Sequence, residues 1–285
     1  MTEFEKNITF VIVCFRSDHI IDQCLKSINS DIKVIIVENS NNIFTKDRLE
    51  KKFSNTKVLI SGENIGYGRG NNLGLSEVKT KYAFILNPDA YLDKYTLKEL
   101  YEVIKILNED FSILAPEIFN KKNLDKVENK KKEFIEVDFV KGFAMLLNLK
   151  KINFKKIFDE NFFLFLEEID LCKRIKEIGG KIYLIPKSII HHNGKKSSGS
   201  EFKIELCRNW HWMWSLYYYN YKHFGLLKAY KITLYKFISS LIKILLSKIL
   251  IKKKKYLIHK YRLLGLINAY QGKSSWLRPD QIKNF

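Results

Sequence analysis

The tightest constraint on this chain is its alternation of short apolar runs with segments of helical period. Residues 8–15, 33–37, 58–60 and 82–86 are β-branched or aromatic stretches, the pattern of strands buried on both faces. Between them, Ile20, Ile21, Cys24, Leu25 and Ile28 recur at helical spacing, with Ser17 or Asp18 placed to cap. A short helix is expected near residues 46–53, another through Leu73 and Leu75, and a clearly amphipathic one on Leu97, Leu100, Val103, Ile104 and Leu107. This order predicts an α/β fold, a doubly wound and mostly parallel sheet with helices on both faces. Ligands of such sheets bind beyond the C-terminal strand ends, where Arg16, Glu38 and Asp89 would converge.

The pattern then changes. Residues 120–133, rich in Lys and Asn, read as an exposed hairpin or loop, and residues 137–147 as a strand containing Gly142. A helix is expected over residues 170–178, ended by Gly179-Gly180, with short strands at 182–185 and 188–191 on either side of Pro186. Residues 201–285 hold seventeen Lys and Arg against three Asp and Glu, so +14 of the +19 net charge lies there and only +5 in residues 1–200. A basic tail points to an anionic partner, nucleic acid or a membrane surface. Its Leu/Ile density and crowded aromatics fit a membrane interface better, and no uncharged run reaches the ~18 residues a spanning helix needs. Four cysteines without paired spacing argue against a zinc site or a disulfide framework. The start, MTEFEKNITF, lacks the basic region of a signal peptide, so a cytoplasmic location is expected.

Three groups of residues invite chemistry. Asn87-Pro88-Asp89 ends a buried strand with a carboxylate, suited to a hard cation and equally to a plain turn. Glu167, Glu168 and Asp170 follow the apolar run 162–166 and offer a general base, although acids are also favoured in the first turn of any helix. His191 and His192 must face opposite ways on a strand, so at most one serves as a ligand. Gly66, Gly68 and Gly70 are out of order for a dinucleotide-binding loop, since Glu38 precedes them.

In this order the segments resemble glycosyltransferase family 2, the inverting GT-A transferases, and its rhamnosyltransferase-like bacterial branch. The resemblance rests on Val11-Ile12-Val13-Cys14-Phe15-Arg16, Val37-Glu38-Asn39-Ser40, Asn64-Ile65-Gly66-Tyr67-Gly68 with Asn71-Asn72, and Asn87-Pro88-Asp89. It continues through Gly142-Phe143, Phe158-Asp159-Glu160, Glu167-Glu168-Ile169-Asp170-Leu171 with Arg174, and His192 with Ser197. Residues 208–215, 222–225 and 272–279 match the tail of that branch.

The resemblance implies a GT-A fold, Rossmann-like and mostly parallel, as the nucleotide-sugar and catalytic domain over residues 1–200, with a basic, mainly helical extension over 201–285. It implies a hexosyltransferase, rhamnose first, using a dTDP- or UDP-sugar and Mg²⁺ or Mn²⁺ to build a lipid-linked or cell-surface polysaccharide. Phe15, Arg16, Glu38 and Asn39 would line the nucleoside pocket, and Gly66, Asn71 and Asn87 would border the donor. Asp89 and His192 would hold the metal. Glu168 matches the family's catalytic base, with Glu167 and Asp170 as alternatives. The expected partners are donor, glycan acceptor and anionic membrane, with no nucleic acid, at the inner face of the plasma membrane. The competing readings are a basic nucleic-acid- or membrane-binding protein and a GT-A domain without activity, since Glu stands at 38 and 168 where the family carries Asp.

Overall fold

The computed structural model describes residues 2–119, 132–192 and 201–283. Apart from its last two residues, the loop expected over 120–133 falls outside them, as does Ser197. The chain divides into two compact units: Met1–Ile65, Arg69–Asp159 and Glu168–Gly199 form one, and Gly66–Gly68, Glu160–Glu167 and Ser200–Phe285 the other.

The first unit is built on a sheet of nine strands: β1 (Ile8–Cys14), β2 (Lys33–Glu38), β3 (Thr56–Ile60), β4 (Tyr82–Leu86), β5 (Ala90–Leu92), β6 (Ile113–Ile118), β7 (Ile135–Glu136), β8 (Ala144–Asn148) and β9 (Ile182–His192). Their order is β3-β2-β1-β4-β8-β6-β9-β5, with β7 paired to β9. The first four are mutually parallel; β8 runs antiparallel between β4 and β6, and β9 lies parallel to β6. Helices α1 (Glu3–Lys6), α2 (Ile21–Lys26), α3 (Ile43–Lys52), α4 (Tyr67–Ser76), α5 (Thr96–Ile106) and α6 (Glu167–Glu177) connect them.

Strand β1 explains why the apolar runs are unbroken. Phe10, Ile12 and Cys14 join a core with Ile21 and Cys24 of α2 and Leu100 and Val103 of α5. Its alternate residues Val11 and Val13 face α4, whose Gly74 and Gly70 leave no room for a Cβ: one added there would come within 2.4 Å of Val11 and 2.8 Å of Val13. The glycines of this stretch thus let a helix lie close against the central strand.

Four local expectations are corrected. The strand over residues 137–147 begins only at Ala144, because residues 142–143 form a turn whose Phe143 carbonyl accepts from Asn87 N at 2.8 Å. The two short strands around Pro186 are one strand, β9, with a register shift where Pro116 pairs with Ile185 and Glu117 with Ile189. A bulge absorbs a proline that has no N–H to donate. Helix α6 starts at Glu167 rather than at residue 170. Neither Ser17 nor Asp18 caps α2 with its side chain; Asp18 instead accepts from Thr45 Oγ1 at 2.5 Å and holds α3.

The second unit packs α7 (Phe202–Phe224), α8 (Leu226–Ile249) and α9 (Lys253–Tyr270) around Trp210, Met213, Tyr217, Ala229 and Leu266. Gly265 marks the closest approach, since a Cβ there would lie 2.2 Å from the Trp210 carbonyl. The segment after α9 latches onto α7. Lys273 O accepts from Trp214 Nε1 at 2.9 Å, and the buried His211 lies 2.8 Å from Ser275 Oγ and 2.7 Å from Leu277 O. Burial pushes the His211 imidazole down to about 3, so the ring is neutral. Its Nε2–H donates to Leu277 O while Nδ1 accepts the Ser275 hydroxyl. Ser215 Oγ donates to Leu164 O at 2.8 Å, fixing the bent approach to α6, where Phe165 and Leu166 adopt left-handed φ of 71° and 68°.

Candidate active site

The candidate residues of the first unit gather at the C-terminal edge of the parallel strands. Cys14 and Glu38 are register partners at the ends of β1 and β2, and Asn39 N donates to Cys14 O at 2.8 Å. Arg16 is held in the left-handed region, φ 55°, with its N–H on Ser40 Oγ at 2.6 Å and its guanidinium 5.3 Å from the centre of the Phe15 ring. Glu38 is buried, which pushes its carboxyl above the usual carboxylate range; hydrogen bonds from Ser40, one from its N–H at 2.5 Å, oppose that shift. An acidic acceptor is therefore built into the floor between Phe15 and Ser40.

The loop leading into α4 contributes differently from the way its composition suggests. Gly66 (φ 87°) belongs to the second unit, where Tyr67 N donates to Phe163 O at 2.9 Å. Asn71 is entirely buried. Its neighbour Asn72 clamps the backbone of Phe158 from both sides, donating to its carbonyl at 2.8 Å and accepting from its N–H at 2.9 Å.

Beyond β4 the Asn87 turn brings Asp89 next to β9, because Ala90 of β5 pairs with His192. The Asp89 carboxylate is buried, and its Oδ1 lies 3.2 Å from His192 Nε2. Apart from that imidazole, neither oxygen has a hydrogen-bond donor among the described residues. His191, on the opposite face, pairs with Asp93 at 3.2 Å and stacks on Tyr91. The carboxylate–imidazole pair fits an oxygen- and nitrogen-ligated divalent cation. Among the described residues no group of three or more His, Cys, Asp or Glu could hold one alone.

Phe143 links this pair to the acidic helix start. Its ring stacks on His192 with centres 4.4 Å apart and planes 6° from parallel. The adjacent Gly142 abuts Glu168: a Cβ on Gly142 would sit 3.0 Å from Glu168 Cβ and 3.2 Å from its Cγ. Sequence reading had no role for either residue. The three acids have different surroundings. Glu167 is buried and belongs to the second unit. Asp170, fully buried, accepts from Arg174 Nε at 2.8 Å, and Arg174 Nη2 donates to Ile157 O at 2.5 Å. Glu168 is only partly buried. The Asp170–Arg174 pair was visible as an i, i+4 spacing; the Phe143–His192 stack had no local signal.

The Glycosyl transferase family 2 model matches residues 9–168, and the chain belongs to that family. It is 25% identical over 195 residues to the low-salt glycan biosynthesis hexosyltransferase Agl10 of Haloferax volcanii, an alignment covering 60% of this chain and 62% of that protein. It is 23% identical over 236 residues to the rhamnosyltransferase WbbL of Escherichia coli K12, covering 69% and 88%. Among solved structures, the mannosyltransferase PcManGT from Pyrobaculum calidifontis, in complex with GDP-Man and Mn²⁺, superposes with a TM-score of 0.56 at 12% identity over 94% of this chain and 88% of that one. Residues 1–349 of S. aureus TarS give 0.54 at 11% identity, over 94% and 92%. The fold is the GT-A fold of these transferases.

Proposed function

We propose that this glycosyltransferase moves a sugar, rhamnose or another hexose, with inversion from a dTDP- or UDP-linked donor to a hydroxyl of a lipid-linked or cell-surface glycan. The work would be done in the cytoplasm, at the inner face of the plasma membrane. The observation that carries the reading is the Asp89–His192–Phe143–Gly142–Glu168 succession, which joins a buried, cation-ready carboxylate to a partly exposed one. Family membership and the hexosyl- and rhamnosyltransferase names of the two relatives support it.

Phe15, Arg16, Glu38 and Asn39 would receive the nucleoside, with the Glu38 carboxyl accepting from the base or ribose. Asp89 and His192 would hold Mg²⁺ or Mn²⁺, which when bound neutralises charge on the departing diphosphate. Glu168 takes the acceptor hydroxyl proton as that oxygen bonds to the anomeric carbon and the nucleoside diphosphate leaves with the bonding pair. One displacement inverts the centre. Asp170 is committed to Arg174 and Glu167 is buried, so Glu168 is the base of choice among the three.

The test is transfer from a panel of sugar nucleotides with Mn²⁺ or Mg²⁺. Glu168→Gln is expected to lower kcat by ~10²–10⁴-fold with donor binding kept. Asp89→Asn is expected to abolish the metal-dependent thermal shift given by donor. Undiminished transfer by Glu168→Gln would overturn the assignment.

A further inference from the structure

Helix α8 is built inside out. Its buried positions carry small or hydroxyl side chains, Ala229, Thr233, Ser240 and Ser247. Thr233 and Ser240 turn their hydroxyls back onto the carbonyls of Ala229 and Lys236 at 2.7 and 2.8 Å. The exposed positions carry Leu227, Leu234, Ile238, Leu241, Leu245 and Ile249, with Leu227 86% exposed. At 3.6 residues per turn these six fall within an arc of about 80°. On the same wheel Lys231 lies at one edge of the stripe with Lys228 beyond it, Lys248 follows the other edge, and Lys236 and Lys243 fall on the far side. The stripe runs off the helix end through Leu250 and Ile251, the latter 90% exposed in a left-handed conformation (φ 53°), and meets Lys252–Lys255 at once.

A water-facing helix has the opposite arrangement, and a continuous apolar surface of this kind marks a docking site. We propose that it is the face by which the second unit lies in the interface of an anionic lipid bilayer. The Leu and Ile side chains sit below the headgroups, and Lys228, Lys231, Lys248 and Lys252–Lys255 sit among the lipid phosphates. Charge selects this occupant. Residues 226–255 contain nine lysines and no acidic residue, so a second copy of the chain would set like charge against like. A nucleic acid would leave the apolar stripe in water. No helix among the described residues is long and apolar enough to cross a membrane; a helix with one apolar face bordered by cations partitions into the interface plane instead. The proposal deepens the membrane location given above, and it can be read out without sugar transfer.

The full chain is sedimented with vesicles of phosphatidylcholine alone and of phosphatidylcholine with phosphatidylglycerol. Strong binding is expected only to the anionic vesicles. Leu234→Glu with Leu245→Glu, and separately Ile251→Glu, alter exposed positions. They are expected to weaken binding at least ~10-fold with helicity and melting unchanged. Replacing Lys252–Lys255 by Gln is expected to weaken it on the order of 10³-fold, about fivefold for each lysine near the surface. Such behaviour upholds the proposal even where no donor sugar is found. It is overturned if the Glu variants bind as the parent does, if the parent binds neither vesicle, or if light scattering shows a lipid-free dimer that those variants dissociate.

Discussion

Gly142→Ala gives the sharpest test of the link between Gly142 and Glu168. The added methyl would lie 3.0 Å from Glu168 Cβ, 3.2 Å from Cγ and 3.5 Å from Cδ. Carbon atoms rest about 3.5–4.0 Å apart, so the side chain must retreat by roughly 0.5–1 Å. The turn cannot easily yield in its place, because Phe143 is stacked on His192 and its carbonyl carries the Asn87 N–H. A misplacement of about 1 Å at a reacting group can cost ~10²-fold, so kcat should fall between ~10- and ~100-fold with the donor KM unchanged. The loss of stability should stay within about 1–3 kcal/mol, the range for overpacking. Steady-state transfer by Gly142→Ala, Glu168→Gln and the double variant separates the causes. If Gly142 acts through Glu168, the double variant is no slower than Glu168→Gln alone. A double variant slower by the product of both effects, or a fully active Gly142→Ala, refutes the reasoning.

Two further outcomes follow from buried groups. His211 has a folded pKa of about 3 against an ordinary 6.5, so between those values the unfolded chain binds a proton that the folded chain does not. Stability is therefore full above about pH 6.5 and is lost as pH falls, by ~2 kcal/mol at pH 5. Urea melts should register the loss, and a His211→Asn chain that keeps the same pH slope would contradict it. Asn72→Ala leaves the N–H and carbonyl of Phe158 without their partners, a cost of ~2–4 kcal/mol; an unchanged denaturation midpoint would show that the clamp contributes nothing.

The parallel half of the sheet was legible because β1, β2 and β4 are covered on both faces, which leaves continuous apolar runs. The two histidines were legible too, since strand alternation alone sends His191 and His192 apart. Where the reading failed, a distant contact had overridden local pattern. Residues 137–147 read as one strand, yet the chain turns at Gly142 and Phe143, where Asn87 N takes the Phe143 carbonyl and Glu168 leaves no room for a Cβ at Gly142. Asp18 looked like a cap, but Thr45 and Arg48 on the next helix take its carboxylate. Asp170 looked like a base, and its attachment to Arg174 becomes decisive only once that guanidinium is seen to donate to the Ile157 carbonyl as well.

The corner formed by Phe165 and Leu166 has a consequence for how this chain tolerates change. Two successive side-chain-bearing residues in the left-handed region cost about 1–2 kcal/mol each, and glycine would remove that penalty at either position. Backbone conformation alone would favour glycine. The large side chains repay the strain through contacts glycine lacks: Phe165 meets the edge of Trp212 and lies under the Arg208 guanidinium. A glycine at either position would relax this corner, and with it the point where the acidic helix begins.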